Sequence, residues 1–367
     1  MASVRQRKNG WQVLYRDPTG KQCGKQFKGR REAERFAHRV EVAKEKGEYR
    51  DPKAGKRLFG EVADIWFAGK SDLAPGTISN YEMALRLHVL PTFKNKPVAS
   101  INPEHVAAWV GEAKAKGTGG TALAKAYVVL EAVMRTAVSL RWIASSPVLP
   151  DFRPRMPKAP EARFLTREQV RDLAEAIGEW WAPLIWTAAD SGMRQSELFG
   201  LKVGRVDLLR RTVQVAEALT DVRGTLIVGP PKSKAGRRTI PLTRHVCELL
   251  TPLLVGKSPG DLVFCSRHGG PVRSSNFHSG TWTPALKKAG LEGVRFHSLR
   301  HTHCAWLIAA GVPALEISRR LGHEQVGFTL AKYGHLFSGA EQAANALDAM
   351  HDAMKPEGTV TLLHQAQ

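Results

Sequence analysis

The chain has 367 residues, 43% of them hydrophobic, which is enough for two or three domains that each bury a core. Lys and Arg number 54 against 34 Asp and Glu, and the formal net charge of +20 is typical of a protein that binds a polyanion, with nucleic acid as the first candidate. No apolar run is long enough for a membrane span or a signal peptide, so we expect a cytoplasmic protein. The four cysteines form no CxxC pair, which disfavours a disulfide framework.

The N-terminal segment is the most basic part of the chain. Residues 1–57 hold seventeen Lys and Arg against seven Asp and Glu. Residues 10–28 alternate apolar and polar side chains around a DPTGK turn, which predicts a β-hairpin, and a basic helix over about 30–46 should follow. A small sheet with Trp11, Tyr15 and Arg16 near its face is a candidate DNA-reading surface. A merely solvated basic hairpin is the alternative.

Helical periodicity dominates the next segment. Apolar residues recur at i, i+3 and i+4 over 58–69, 77–93, 103–116 and 121–143, which predicts a compact all-α domain. Thr77 and Asn102 stand where N-cap residues are expected. The proline-dense segment 145–162 has no periodicity and predicts an extended linker.

A mixed domain is predicted after this linker. Residues 164–178 and 183–193 have helical periodicity, whereas 211–219 and 224–243 are typical of strands. The last segment, 339–354, predicts an amphipathic helix that docks either on a neighbouring protomer or on its own domain.

Five short motifs in this domain supply side chains suited to phosphodiester chemistry. Cleaving a phosphodiester without a metal ion needs positive donors on the non-bridging oxygens, a nucleophile, and an acid for the leaving oxygen. The motifs are SGMRQSEL around Arg194, PPKSKAGRRTIPL around Lys232, HSLRHTH around His297 and Arg300, LGH ending at His323, and AKYGHLF around Tyr333.

Each role has a physical reason. Arg194 and Arg300 suit the phosphate oxygens because a guanidinium donates two hydrogen bonds and stays charged. A tyrosine phenol has an ordinary pKa of about 10, so Tyr333 would need its proton removed or its phenolate held by nearby Arg and His. A lysine whose pKa is lowered by neighbouring cations can protonate the leaving 5′ oxygen, and Lys232 is preferred over its rival Lys234.

The five motifs, their order and the ten-residue step from His323 to Tyr333 resemble the tyrosine recombinase family, especially the lambda-type phage integrases. The resemblance implies an α+β multidomain fold: a small β-sheet plus helix N-terminal module, an all-α SAM-like core-binding domain, and a mainly α catalytic domain with a small antiparallel sheet. The implied divisions are an arm-type DNA-binding domain at 1–56, a helical core-binding domain at 57–146, a linker at 147–163, a catalytic domain at 164–345, and a C-terminal helix and tail at 346–367.

The resemblance also implies an activity, which is site-specific DNA recombination through a 3′-phosphotyrosyl intermediate without metal, ATP or any other cofactor. Ser298 departs from the family pattern, which often has Asp at this position. The implied roles are phosphate binding for Arg194 and Arg300, protonation of the leaving 5′ hydroxyl for Lys232, general acid–base work for His297, hydrogen bonding to phosphate for His323, and nucleophilic attack for Tyr333.

The implied partners are double-stranded DNA attachment sites with core and arm sequences, and further copies of the chain in a homotetramer on DNA. A host DNA-bending protein and an excisionase are further candidates, in the cytoplasm and nucleoid of a bacterial host.

Three rival interpretations remain. A type IB topoisomerase shares the tyrosine chemistry, but the predicted arm-binding module favours an integrase. A DNA-binding protein that has lost catalysis would explain the charge equally well, yet the complete set of motif residues counts against it. A zinc site at His297, His301 and His303 is a weaker alternative, based on the helical spacing of the histidines.

Overall fold

The computed structural model divides into two compact units, Met1–Ala159 and Pro160–Gln367. No helix in the described part of the chain is long and apolar enough to cross a membrane. The structure describes residues 2–17, 20–46, 49, 54–158, 161–231, 233–337 and 340–353.

The first unit begins with an antiparallel sheet and a helix. The strands β1 (Ser3–Arg7), β2 (Gly10–Arg16) and β3 (Gln22–Phe27) lie in that spatial order, and α1 (Arg30–Glu45) follows. The predicted hairpin and basic helix are confirmed. Strand β1 was not predicted, because its sequence SVRQR holds a single apolar residue and therefore shows no alternation.

Alternation along β2 decides which side chains α1 covers. Tyr15 is 4% exposed, and its ring packs edge-on against Phe36 of α1. Trp11 lies on the same face as Tyr15 and packs against the same small core, whereas Arg16 alternates to the opposite face. The expectation that Trp11 and Tyr15 belong to a DNA-reading face is therefore wrong, since their apolar area attaches the helix to the sheet.

A helical domain follows in the same unit. Asn102 caps its fourth helix as predicted, since its Oδ1 accepts a hydrogen bond from the backbone N–H of His105 at 2.9 Å. The indole N–H of Trp109 donates to the carbonyl O of His88 at 2.9 Å and ties this helix to the preceding segment. The helices are α2 (Phe59–Ala68), α3 (Pro75–Ala84), α4 (Leu90–Phe93), α5 (Pro103–Ala115) and α6 (Gly120–Ser139).

Two details of this domain differ from the prediction. Thr77 lies inside α3 and is not its N-cap, because Pro75 opens the helix as a first-turn residue that needs no hydrogen-bonded N–H. The segment predicted as one helix over 77–93 widens into a π-helical turn at Leu85–Val89 and continues as α4. Pro91 explains the break, since it lacks the N–H that an uninterrupted α-helix requires.

The second unit is mainly helical with small antiparallel sheets, as predicted. Its strands are β4 (Val206–Asp207), β5 (Thr212–Val215), β6 (Ala218–Val222), β7 (Thr225–Gly229) and β8 (Arg238–Pro241). Its helices are α7 (Arg167–Ile177), α8 (Ala182–Ser191), α9 (Gln195–Phe199), α10 (Arg244–Leu254), α11 (Ser274–Phe277), α12 (Thr283–Lys288), α13 (His297–Ala309), α14 (Ala314–Leu321), α15 (Val326–Tyr333) and α16 (Ala340–Ala353).

The strands form a three-stranded sheet in the order β4-β5-β8 and a separate β6-β7 hairpin. The segment predicted as one strand over 211–219 is thus two strands of different sheets. Because β5 pairs directly with β8, the β6-β7 hairpin is an insertion between two neighbouring strands. The segment that carries the predicted lysines, 230–237, connects this hairpin to β8.

Helix α8 packs against both α7 and α13 in the core of this unit, so the C-terminal end of α8 lies beside the helix that carries HSLRHTH. In α16, the side chains of Leu347 and Met350 are exposed.

The first residues of this unit are held to α13 by two hydrogen bonds, one buried and one partly buried. The backbone N–H of Leu165 donates to Oγ1 of Thr302 at 2.9 Å, and Nε1 of Trp306 donates to the carbonyl O of Leu165 at 3.1 Å. Thr302 is completely buried. Its hydroxyl therefore supplies an acceptor that water does not replace.

We predict that Thr302→Val lowers the free energy of unfolding of this unit by about 1–3 kcal/mol, because it leaves the buried N–H of Leu165 without an acceptor. Thr302→Ser keeps the hydroxyl and should retain most of the stability. Urea unfolding of the full chain would compare the variants. A loss for Thr302→Ser with no loss for Thr302→Val would show that the methyl group, and not the hydrogen bond, matters at this position.

Candidate active site

Arg300 lies at the centre of the motif residues. It is 3% exposed, and its guanidinium donates to the carbonyl O of Gly192 at 2.7 Å and to that of Leu321 at 2.6 Å. Burial, with the positive charges of Arg194 and Arg238, lowers the pKa of Arg300 to about 9. Both hydrogen-bond acceptors are neutral carbonyls, so they satisfy the donors without cancelling the charge.

Both carbonyls belong to helix C-termini, where aligned peptide dipoles concentrate partial negative charge. Gly192 ends α8 and Gly322 ends α14, each with a left-handed backbone at φ of 66° and 67°. A Cβ at Gly192 would come within 2.6 Å of the ring of His303, and one at Gly322 within 2.7 Å of the carbonyl O of Ala235. Only glycine fits both the conformation and the space, so these two glycines allow both helices to end at Arg300.

Glu197 orients the second arginine. This residue of α9 is 2% exposed and accepts hydrogen bonds from the backbone N–H of Arg194 at 2.9 Å and from its guanidinium at 2.8 Å. Arg238 donates to the same carboxylate at 3.2 and 3.0 Å. Burial alone would raise the pKa of Glu197, but the hydrogen bonds and charges of Arg238 and Arg194 hold it below its usual range.

Sequence reasoning did not single out Glu197 or Arg238 as functional. The available signal was the i, i+3 spacing of Arg194 and Glu197 in RQSE, which places both at the first turn of a helix.

Tyr333 is the last residue of α15 and is 1% exposed. Its hydroxyl lies 2.6 Å from Nδ1 of His301. Burial raises the pKa of Tyr333, Cys304 adds to the increase, and Arg300 opposes it. We expected nearby Arg and His residues to stabilise the phenolate of Tyr333. Only Arg300 lowers the pKa of Tyr333, and in the DNA-free chain burial raises this pKa by more than Arg300 lowers it.

Two further motif histidines are neutral at physiological pH. Burial, followed by the charges of Arg300 and Lys332, lowers the pKa of His297 to about 4. Burial, followed by the charges of Arg300 and Arg194, lowers the pKa of His323 to about 3. Nδ1 of His323 lies 2.8 Å from the hydroxyl of Thr329, so one ring nitrogen is engaged within the protein.

Lys232 lies outside the described residues, and its assignment stays a prediction. Its rival Lys234 has an exposed side chain at the start of a short helical turn, Lys234–Gly236. This turn is held beside the other motifs, because the carbonyl O of Gly236 accepts from Arg238 at 2.8 Å and Ala235 abuts Gly322. The lysine-bearing segment therefore reaches the edge of the site.

The histidines of HSLRHTH are engaged in other ways than zinc binding. Nδ1 of His303 donates to the carbonyl O of Ala189 at 2.8 Å, and its Nε2 accepts from Arg320 at 2.9 Å. His301 contacts Tyr333. Within the described ranges, no group of three His, Cys, Asp or Glu residues is arranged to hold a metal ion.

The five described motif residues thus meet around one buried guanidinium. Arg194, His297, His323 and Tyr333 each interact electrostatically with Arg300. The arginines outnumber the buried carboxylate of Glu197, so the site has an excess of positive charge beside a tyrosine hydroxyl. An oxyanion that carries a single charge, such as a phosphodiester, suits this arrangement.

Comparison with known proteins gives two family matches and several relatives. Residues 163–339 match the phage integrase family, and residues 58–112 match the N-terminal SAM-like domain of phage integrases. The prophage phiRv2 integrase of Mycobacterium tuberculosis is 28% identical over 362 residues, which cover 94% of each chain.

Two solved structures share the fold. The Tn1549 transposon integrase in complex with a circular intermediate DNA has a TM-score of 0.68 and 19% identity, over 80% of this chain and 99% of that chain. A lambda integrase dimer bound to a core site has a TM-score of 0.59 and 18% identity, over 98% of this chain and 97% of that chain. The α+β fold class predicted from the sequence is confirmed.

The resemblance drawn from the five motifs is confirmed by the family matches. This chain belongs to the phage integrase family of tyrosine recombinases, enzymes that break and rejoin DNA at specific sites.

Proposed function

We propose that this recombinase integrates and excises a phage or another mobile element by exchanging strands between attachment sites, with Tyr333 as the nucleophile. The observation that carries the proposal is the meeting of the buried Arg300 and Tyr333 with the partly exposed Arg194 in one site with excess positive charge. Its relatives are named as phage and prophage integrases, which supports the same activity.

In the proposed reaction, Arg194 and Arg300 donate to the non-bridging oxygens of the scissile phosphate. Negative charge on these oxygens grows toward the transition state, so donors already in place stabilise it more than they stabilise the bound substrate. Glu197 fixes Arg194, and two helix C-termini fix Arg300. The arginines therefore need little reorganisation when the phosphate arrives.

The oxygen of Tyr333 attacks phosphorus as the bond to the 5′ oxygen breaks, which gives a 3′-phosphotyrosyl link and a free 5′ hydroxyl. We assign Lys232 as the acid for that hydroxyl and His297 to general acid–base work. If Nδ1 of His323 accepts from Thr329, its Nε2–H is available to donate to the phosphate. One phosphoester replaces another, so the reaction consumes no ATP.

The N-terminal module, residues 1–56, is proposed to bind arm sites. On the sheet face opposite α1, the register places Arg5 beside Gln12 and Gln12 beside Gln26, and Arg16 shares this face by alternation. Arg and Gln are the side chains that read guanine and adenine edges in a major groove. The domains at 57–146 and 164–345, joined by the linker at 147–163, would bind the core site, and 346–367 would be a tail.

The proposed assembly is a homotetramer on two attachment sites, in the cytoplasm and nucleoid of a bacterial host. Lambda integrase, whose fold is similar, has been solved as a tetramer bound to a Holliday junction. A host DNA-bending protein and an excisionase complete the set of proposed partners.

We predict that Tyr333→Phe abolishes a covalent protein–DNA adduct, because it removes the attacking oxygen. A pool of nicked duplexes with a randomised core would be incubated with the wild-type protein in the absence of metal. Covalent complexes would be captured under denaturing conditions and sequenced, and one enriched duplex would be used in denaturing gels. Wild type should form the adduct, and Tyr333→Phe should bind the same duplex without forming it.

Tyr81→Phe is the matched control, because it removes a phenolic oxygen from the first unit and should leave adduct formation intact. An adduct from Tyr333→Phe would assign the nucleophile to another residue. If wild type binds the DNA but forms no adduct, a non-catalytic DNA-binding protein is the better interpretation.

We predict that deletion of residues 1–56 removes one class of DNA site and spares another. In non-covalent selection from random duplexes, wild type should enrich two unrelated sequences, and the deletion should keep only the one that is cleaved. Arg5→Ala with Arg16→Ala should act like the deletion. Arg31→Ala with Arg35→Ala removes equal charge from α1 and serves as the control. Loss of the cleaved sequence on deletion would contradict a separate arm-binding module.

A further inference from the structure

The hydroxyl of Tyr333 has a partner outside the six assigned residues. Nδ1 of His301 lies 2.6 Å from the phenolic oxygen, and the two ring centroids are 5.7 Å apart. His301 is 8% exposed and Tyr333 is 1% exposed, so bulk water has little access to the pair. A hydroxyl in this position must pass its proton to a protein group when it becomes a nucleophile.

We propose that His301, rather than His297, is the general base for cleavage and accepts, through Nδ1, the proton that Tyr333 loses as its oxygen attacks phosphorus. This proposal rests on the assignment of Tyr333 as the nucleophile. His301, one helical turn after His297, is the histidine whose ring reaches the hydroxyl. Its separation from the phenolic oxygen is within hydrogen-bond reach, which a general base must satisfy before its pKa is considered.

The ring of His301 is held in place from two sides. It belongs to α13, whose backbone also positions Arg300, and the ring of His297 packs against it edge-on with centroids 4.6 Å apart. When Nδ1 accepts from the hydroxyl, the neutral ring carries its hydrogen on Nε2. This tautomer has its lone pair directed at the proton that must leave.

Burial, followed by the positive charges around His301, keeps the proton on Tyr333 in the DNA-free chain. The pKa of His301 is lowered to about 3, while that of Tyr333 is raised. Burial contributes most to the lowered pKa of His301. Four nearby groups on α15, on α13 and just before α13 lower it further: Lys332, His297, Arg300 and Arg295.

A bound phosphodiester changes this balance. Its negative charge, held by Arg194 and Arg300, offsets the positive field that disfavours a protonated His301. As the new bond forms, the charge of the phenolate passes to the phosphate oxygens, which the same arginines stabilise. Proton transfer to His301 therefore becomes favourable only when the scissile phosphate is in the site.

The proposed step balances in both directions. In cleavage, the O–H bond of Tyr333 breaks, its proton bonds to Nδ1 of His301, and the Tyr333 oxygen bonds to phosphorus. The bond from phosphorus to the 5′ oxygen breaks, and that oxygen takes a proton from the acid assigned as Lys232. In rejoining, a 5′ hydroxyl gives its proton to the lysine and its oxygen bonds to phosphorus. The bond from phosphorus to the Tyr333 oxygen breaks, and His301 returns its proton to that oxygen.

The test uses the full-length protein and the cleavable duplex selected with wild type. In His301→Asn, the side-chain carbonyl can accept from the Tyr333 hydroxyl near the position of Nδ1 but takes up no proton. We expect single-turnover adduct formation to slow by about 100-fold or more, with unchanged DNA binding. Replacing Tyr333 with a difluorotyrosine, whose phenol is more acidic, should restore most of the rate. His245→Asn, on the exposed face of α10, is the matched control.

A duplex with a sulfur in place of the bridging 5′ oxygen distinguishes a defect in the general base from a defect in the general acid. A thiolate leaves without protonation, so this duplex should rescue a defect in the acid and leave the His301→Asn defect unchanged. Rescue of His301→Asn by the sulfur duplex would overturn the proposal. A rate equal to or above that of wild type would also overturn it and would make the contact a resting position of the tyrosine.

A measurement on wild type covers the case in which His301→Asn fails to fold. On the sulfur duplex, adduct formation should be slower in deuterated water, and difluorotyrosine at position 333 should reduce this effect. The absence of an isotope effect would overturn the proposal. If wild type forms an adduct that does not depend on Tyr333, the nucleophile assignment fails first, which is a distinguishable result.

Discussion

Arg300 carries a full charge at 3% exposure, and a guanidinium in that position must find acceptors for its donors within the protein. The second unit supplies two main-chain carbonyls at helix ends instead of a carboxylate. For both carbonyls to reach one guanidinium, α8 and α14 must end at the same point, and each does so through a left-handed glycine. The chain path around the site follows from this single requirement.

A second layer of arginines holds those helix ends together. Arg320 donates to the carbonyl O of Asp190 at 2.9 Å and to that of Pro241 at 2.9 Å, which links α14 to α8 and to β8. Arg238 links this network to Glu197, because it donates to the carbonyl O of Arg320 at 2.6 Å and to the carboxylate of Glu197. Removing one member of such a network leaves its partners buried and unpaired, which costs more than the network contributes as a whole.

The sequence allowed the chemistry to be predicted more fully than the packing. Arg194, His297, Arg300, His323 and Tyr333 were assigned from motif type, order and spacing, and the structure brings them together. Their membership of one site was predictable because residue type and order are visible along the chain, and their roles stay a proposal.

Contacts that depend on the direction of a side chain were not predictable in the same way. Tyr15 was placed on the wrong face of its sheet, because alternation defines two faces but does not say which one a helix will cover. Glu197 and Arg238 resemble ordinary helix or strand residues in the sequence, and His301 was considered only as a member of an alternative zinc site. Their importance arises from partners that are distant along the chain, such as the 32 positions between His301 and Tyr333.

Burial of Tyr333, the proposed nucleophile, also bears on the fate of the proposed intermediate. A phosphotyrosyl link conserves the energy of the phosphodiester only while water is kept from it, since hydrolysis would leave a broken strand with no means of rejoining. Tyr333 is 1% exposed and packs with Cys304, Ile308 and Leu321, an apolar surrounding that excludes water. The same surrounding raises the pKa of the phenol. Burial therefore both protects the proposed intermediate from water and makes Tyr333 harder to deprotonate. A buried site of this kind needs a proton acceptor among its own side chains. Nδ1 of His301, which lies at hydrogen-bond distance from the hydroxyl, provides one without admitting solvent.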